Sequence, residues 1–216
     1  MESIHLWPAL TLAGLGAFHG LNPGMGWLFA VALGMQEQSR TAVWRAMAPL
    51  AAGHVLAVGA AITVAVLAGV VLSPGMVRWP VAVLLIALGV WRIFRHCHAR
   101  GIGMRTGMGG LTWWSFLMAT AHGAGLMVLP VFLGMTAQTA AGASCHLHAH
   151  FGVTSPVMAC TATLIHGAGY LLVTAAAAWI VFEKVGVGIL RRAWFNVDLL
   201  WAGALLVTGV AAAVVG

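Results

Sequence analysis

Six stretches of this sequence, roughly 9–34, 47–71, 80–94, 111–135, 156–182 and 197–215, are strongly apolar and almost free of charged side chains. A helix of about 20 apolar residues crosses the hydrocarbon core of a bilayer, and most of these runs approach or exceed that length. Charged residues make up 6% of the chain, against about 25% in a soluble domain, so the sequence cannot clothe a water-facing exterior. In lipid every backbone N–H and C=O must be satisfied within the spanning segment, which leaves helices as the solution for runs of this length. The sequence therefore predicts an all-α integral membrane protein of six transmembrane helices, in one domain covering residues 1–216.

The distribution of cations sets the orientation. Arg40 and Arg45 lie between the first two runs. Arg92, Arg95, Arg100 and Arg105 lie at or after the third, and Lys184, Arg191 and Arg192 follow the fifth. Only Arg78 falls in the alternate set of connections, so nine of the ten basic residues share one side. The positive-inside rule makes that side cytoplasmic and puts both termini outside, as expected of a multi-pass protein of a bacterial inner membrane. The same asymmetry accounts for the net charge of +6, and no aromatic-and-basic stretch suggests nucleic-acid binding. The amino-terminal MESIHLWPALTLAGLG carries no Lys or Arg before its apolar run, unlike a cleaved signal, and is expected to belong to the first helix. Cys97, Cys145 and Cys160 form no CxxC pair and suggest no disulfide framework. Trp79, Trp113, Trp114, Trp194 and Trp201 fall near predicted helix ends, where an aromatic belt would place them.

The two halves echo one another. The first run contains AFHGLNPGMGWLFAVALGMQ and the fourth TAHGAGLMVLPVFLGMT: His-Gly, then a proline, then Leu-Gly-Met. The second contains MAPLAAGHVL and the fifth MACTATLIHGAG, each with a methionine followed seven or eight residues later by histidine. A unit of three crossings repeated once is necessarily inverted. The pattern thus predicts two inverted three-helix repeats, about 1–100 and 101–216, with a binding site between them near the midplane.

His19, His54, His122 and His166 occupy matched positions in these halves, each beside a glycine. Ionisable residues inside spans are rare and usually face the bundle interior or a watery cavity. For any one of them, hydrogen-bonded helix packing is an equal explanation. Four at matched positions, with Glu2, Glu37, Glu183 and Asp198 all at or beyond the ends of the runs, point instead to a shared role. Imidazole is the commonest metal ligand and also a proton relay. Asn22 and Met25 follow His19, and Met118 precedes His122 by four residues, on the same helix face. Together they make a borderline-to-soft donor set. Pro23 removes a backbone hydrogen bond, and a freed carbonyl at this depth is expected to line a cavity. Two connecting segments add donors. Cys145, His146, His148 and His150 lie in the outer one, and His96, Cys97 and His98 in the inner one. Neither has the spacing of a closed zinc site; both suit transient capture or release.

HGLNPG at 19–24, with AGHVL at 52–56 and AHG at 121–123, resembles the nickel/cobalt efflux proteins and their permease relatives in the LysE-type transporter superfamily. The motif similarity spans about 40 residues. The resemblance implies inverted three-helix repeats and a metal site lined by His19 and His54. The family commonly has an acidic residue where this chain has Asn22 and a histidine where it has Met25. The first removes negative charge that helps hold a dication and the second softens the site, which leaves Ni²⁺ or Co²⁺ and Cu⁺ or another soft ion all open as the cargo. The expected function is transport of a transition-metal cation, efflux rather than uptake, with the ion as substrate. The expected site residues are His19, His54, His122, His166, Asn22, Met25, Met118 and the outer-loop Cys145, His146, His148 and His150. Rival readings are an exporter of a small organic solute and a membrane subunit that delivers metal to a partner. A second copy of the chain or a membrane-complex partner is compatible with either. There is no GxxxxGK[ST] nucleotide motif and no nucleophile–base pair or acid pair, so enzymatic activity is not expected.

Overall fold

The computed structural model describes residues 6–71, 74–94, 107–142, 156–185 and 197–215, and every regular element among them is helical. In order these are α1 (Leu6–Leu21), a 3-10 turn (Pro23–Met25), α2 (Trp27–Glu37), α3 (Arg40–Val71), α4 (Pro74–Phe94), α5 (Met108–Ala121), α6 (Ala124–Gly142), α7 (Pro156–Ile180) running on into a π turn (Val181–Val185), and α8 (Val197–Val215). Three stretches are long and apolar enough to cross a membrane: Arg40–Ala68, Met76–Phe94 and Pro156–Lys184. A fourth exists if α5 and α6, bent by 61° at their junction, count as one span; Leu6–Leu21 and Leu199–Val214 are apolar but shorter. Large apolar side chains, among them Trp7, Leu67, Trp79, Phe94 and Leu172, stay exposed on the outer faces, as helices packed for a lipid environment require.

The first and fourth apolar runs are broken rather than continuous, and for related reasons. In the first, the Asn22 side chain accepts a hydrogen bond from the Gly24 N–H at 2.9 Å and caps the 3-10 turn that Pro23 opens. Gly26 then turns at φ +133°, a conformation only glycine adopts readily. In the fourth, Gly123 sits at φ +72° directly after His122, and no proline is involved. Pro49, Pro80 and Pro130 all lie inside helices that continue through them. A proline removes one hydrogen bond, and the helix survives it; a left-handed glycine redirects the chain.

Packing is dominated by three helix pairs: α1 with α7, α3 with α5, and α4 with α8. The first pair is parallel, since Gly16 lies against His166 and Tyr170 while Gly20 lies against Tyr170 and Thr174. The second places Gly53 of α3 against Thr112, Ser115 and Phe116 of α5, and the Ser115 hydroxyl donates to the Leu50 carbonyl at 2.7 Å. The third is antiparallel: Gly89 meets Ala202 and Leu206, and Gly209 meets Ala82, Leu85 and Ile86. Small residues allow this closeness, the usual device where lipid supplies no hydrophobic drive between helices. The α4–α8 pair joins the rest mainly through α6. At the end where α3 begins and α7 finishes, Arg40 pairs with Glu183 at 2.6 Å and Arg45 with Glu37 at 2.7 Å.

Two expectations about the aromatic residues need separating. Trp79 and Trp113 are exposed, in keeping with a belt. Trp201 is 1% exposed and belongs to the core beside Tyr170, Met25 and Leu205, so its assignment to the belt is corrected. Its position near the start of α8 lies level with the interior because α8 packs beside the α5–α6 junction. Trp194 lies outside the described residues.

A side chain at Gly16 would collide with the His166 carbonyl, whereas Gly14 has nothing within 4 Å. Gly16→Val is therefore expected to cost about 1–3 kcal/mol, as overpacking does, and Gly14→Ala to leave stability unchanged or raise it by up to about 1 kcal/mol through helix propensity. Thermal unfolding of the two purified variants in detergent checks the contrast.

Candidate functional site

Three of the four glycine-flanked histidines meet. His19, from the last turn of α1, His54 of α3 and His166 of α7 are each 0% exposed. Their ring centroids are 5.7 Å (His19–His54), 5.0 Å (His19–His166) and 5.3 Å (His54–His166) apart. Three helices distant in sequence thus bring imidazoles to one point in the bundle.

Their hydrogen bonds fix which nitrogen is available. His19 Nδ1–H donates to the Leu15 carbonyl one turn back at 2.6 Å, and His166 Nδ1–H to the Leu12 carbonyl of α1 at 3.2 Å. A carbonyl only accepts, so both rings carry their proton on Nδ1 and present a lone pair at Nε2. Neither Nε2 has a partner among the described residues, nor does either nitrogen of His54. Four buried imidazole nitrogens without partners in one cluster are unusual, because buried polar atoms are normally satisfied.

Aromatic rings wall the cluster. Tyr170, one turn beyond His166, stacks on His54 with centroids 3.8 Å apart and planes 6° apart. Trp201 of α8 stands edge-on to His19 at 4.6 Å, and the Phe18 ring stacks on the indole at 4.8 Å. His122 does not join the other three. It lies across Trp201, 5.3 Å from the indole, whose Nε1–H donates to the His122 carbonyl at 2.8 Å. Its Nδ1–H returns to the Met118 carbonyl at 2.8 Å, the same i−4 bond that His19 makes.

The remaining expected donors have other occupations. The Asn22 oxygen is engaged as the cap described above. Met25 is buried in the core, and its carbonyl accepts the Tyr170 hydroxyl at 2.7 Å. Met118 is partly buried, packed against the same core, with its methyl end toward Gly24. The carbonyls around the break at 22–26 were expected to line a cavity. Instead aromatic donors take them: Leu21 O from Trp27 at 3.1 Å, Gly24 O from Trp114 at 3.2 Å, and Met25 O from Tyr170. Cys145, His146, His148 and His150, and likewise His96, Cys97 and His98, lie outside the described residues. Among the described residues no group of three or more His, Cys, Asp or Glu side chains has the arrangement of a metal-holding cluster. In the trio the planes of His54 and His166 are only 13° apart, while that of His19 stands at 66° and 73° to them.

Tyr170 and Trp201 are the site residues that motif reading missed. Tyr170 is the only tyrosine in the chain and follows His166 by four residues, so a shared helix face was available as a signal. Trp201 carried none. Comparison of the chain with protein-family models, with curated proteins and with solved structures finds no match.

Tyr170→Phe keeps the stack on His54 but strands the Met25 carbonyl. The expected loss is about 1–3 kcal/mol, the cost of an unsatisfied buried acceptor, read from the unfolding midpoint. Tyr170→Leu should lose more, since it also removes the ring over His54.

Proposed function

We propose that this protein is a membrane transporter of transition-metal cations, working in the direction of efflux, in which His19, His54 and His166 form the intramembrane station for the ion. The observation that carries this reading is the set of four buried, unpartnered imidazole nitrogens contributed by three helices. Nitrogen lone pairs held by a backbone bond on the far side of the ring are what a metal-binding imidazole needs. They are of little use to packing, where an unpaired buried acceptor is a cost. His122, across Trp201, serves as a second station on the same path. The resemblance of HGLNPG to nickel/cobalt efflux proteins points to the same class of cargo. In this scheme the outer-loop Cys145, His146, His148 and His150 capture or release the ion. Metal binding needs neutral imidazole, the form in which His19 and His166 already present Nε2.

Six crossings in two inverted repeats form the architecture proposed for this transport. Several features support it. Exchanging the halves maps the α1–α7 pair onto α5–α3, and maps α4–α8 onto itself. The parallel and antiparallel senses are those that six alternating crossings produce. His19 and His122 make the same bond to the carbonyl four residues earlier. The Arg40–Glu183 pair joins two segments assigned to the cytoplasmic side.

Loaded proteoliposomes should release Cu⁺, Ni²⁺ or Co²⁺ in a protein-dependent manner, with His19→Ala and His166→Ala each reducing the initial rate at least about tenfold, the scale seen when metal-site support is removed. Equal rates in wild type and both variants would sink the trio as the station. A membrane-impermeant maleimide applied to intact cells should label Cys145 and spare Cys97; the reverse pattern would overturn the orientation.

A further inference from the structure

We propose that the end of the bundle where the α2–α3 turn meets the π turn after α7 is a gate, closed in this structure, with the Arg40–Glu183 ion pair as its clasp. The gate serves the imidazole station proposed above, and its role, though not its existence, rests on that reading.

His19, His54 and His166 are fully buried, so anything that reaches them from water needs a way in. On one face of α7, His166, Tyr170, Thr174 and Ala178 follow at intervals of four, all of them fully buried. Four residues further on, in the π turn, the ring of Phe182 lies against Gly34 of α2, and Val43 of α3 crowds the same glycine. Ala178 and Phe182 belong to an apolar cluster with Val31, Val43 and Met47, separate from the one that contains Tyr170 and Trp201. Apolar contact between α2, α3 and α7 thus closes this end of the face on which Thr174 and Tyr170 lead to His166.

Charge fastens the closure. Arg40 Nε lies 2.6 Å from Glu183 Oε1, and Arg40 Nη2 donates to Oε2 at 2.9 Å. Two-point contact is the strong form of an Arg–carboxylate pair. Glu37 and Arg45, at 2.7 Å, close the α2–α3 corner on itself; Arg40–Glu183 ties that corner to α7. Two of the four acidic residues in the chain lie at this one place. Their signs oppose helix stability. Arg40 is the first residue of α3, at the positive end of its dipole, and Glu37 is the last of α2, at a negative end. Glu183 comes just after Ile180, the C-terminal residue of α7, again at a negative end. Helix capping therefore does not account for these charges. The Arg40 side chain is 76% exposed, so water competes for it. The π turn that carries Glu183 departs from the α pattern at the clasp itself, as such turns often do at functional positions. A contact that is specific in geometry and cheap to break is what a gate needs.

The test uses full-length protein in detergent and needs no metal, so the gate and the cation station stand or fall separately. Cys97→Ser, Cys145→Ser and Cys160→Ser clear the background, and Thr174→Cys puts one thiol behind the closure. Its rate of labelling by a water-soluble methanethiosulfonate is measured, with the unfolding midpoint of every variant. Labelling should be slow with the pair intact and at least about tenfold faster after Glu183→Gln or Arg40→Gln, the scale of one well-formed ion pair. Glu37→Gln should leave the rate unchanged. The exchanged Arg40→Glu/Glu183→Arg protein should be slow again, since its charges also agree with the helix dipoles. Fast labelling with the pair intact would overturn the closed gate. Equal rates with and without the pair would overturn the clasp. So would equal acceleration by Glu37→Gln, which is general loosening, or acceleration that the exchange fails to reverse. Labelling controlled by the pair, in a protein that moves no cation, would keep the gate and remove the cation station.

Discussion

At Gly16 the backbone of α1 comes against the carbonyl of His166 on α7, with no side chain between them. The site depends on that approach. It sets the register of two parallel helices so that Leu12 can accept from His166, while Leu15 accepts from His19 within α1. Both rings are thereby locked in one tautomer and turned so that Nε2 faces the interior. Were the helices an ångström or two further apart, the Leu12 bond would be lost, and the His166 ring would be free to turn to another rotamer. In a membrane, where hydrophobic burial does not press helices together, such a contact has to be made by shape. Gly16 and Gly20 on one side and Gly169 on the other provide it.

A second constraint follows from the same solvent. A break in a helix at membrane depth frees carbonyls that lipid cannot satisfy. The break at 22–26 is closed by donors on rigid aromatic frames: Trp27 from the following helix, Trp114 from α5 and Tyr170 from α7. Each also fills space, so capping and packing are performed by one residue. Tyr170 goes further, because the ring whose hydroxyl holds Met25 O also covers His54. The broken backbone and the imidazole cluster are in this way parts of a single arrangement.

Much of this was legible in the sequence, and the remainder failed for identifiable reasons. The apolar runs announced an all-helical chain with helices able to cross a membrane, and the glycines beside the histidines announced close helix packing. The matched positions of the histidines suggested convergence; ring contacts join His19, His54 and His166, while the ring contact of His122 is with Trp201. That indole sits near a helix end in the sequence, and nothing local says that its end of α8 packs against the α5–α6 junction. Pro23 correctly marked a break. Pro130 would have misplaced the other, since the turn at Gly123 depends on a backbone angle that composition does not reveal. Asn22 was read as a donor to the site. Its short side chain instead closes a local turn with Gly24, a role that an asparagine before Pro-Gly commonly takes.

Of the helices that hold the three imidazoles, α7 packs against both α1 and α3, and α3 against α5. The indole that touches both His19 and His122 is not carried by that group. Trp201 rides on α8, which is paired with α4 and joined to the remainder mostly by way of α6. The molecule thus divides into a group of helices that holds the three imidazoles and a pair, α4–α8, that lays Trp201 against it. Displacing Trp201 would therefore leave the Leu15 and Leu12 bonds of His19 and His166 in place, since neither involves α8.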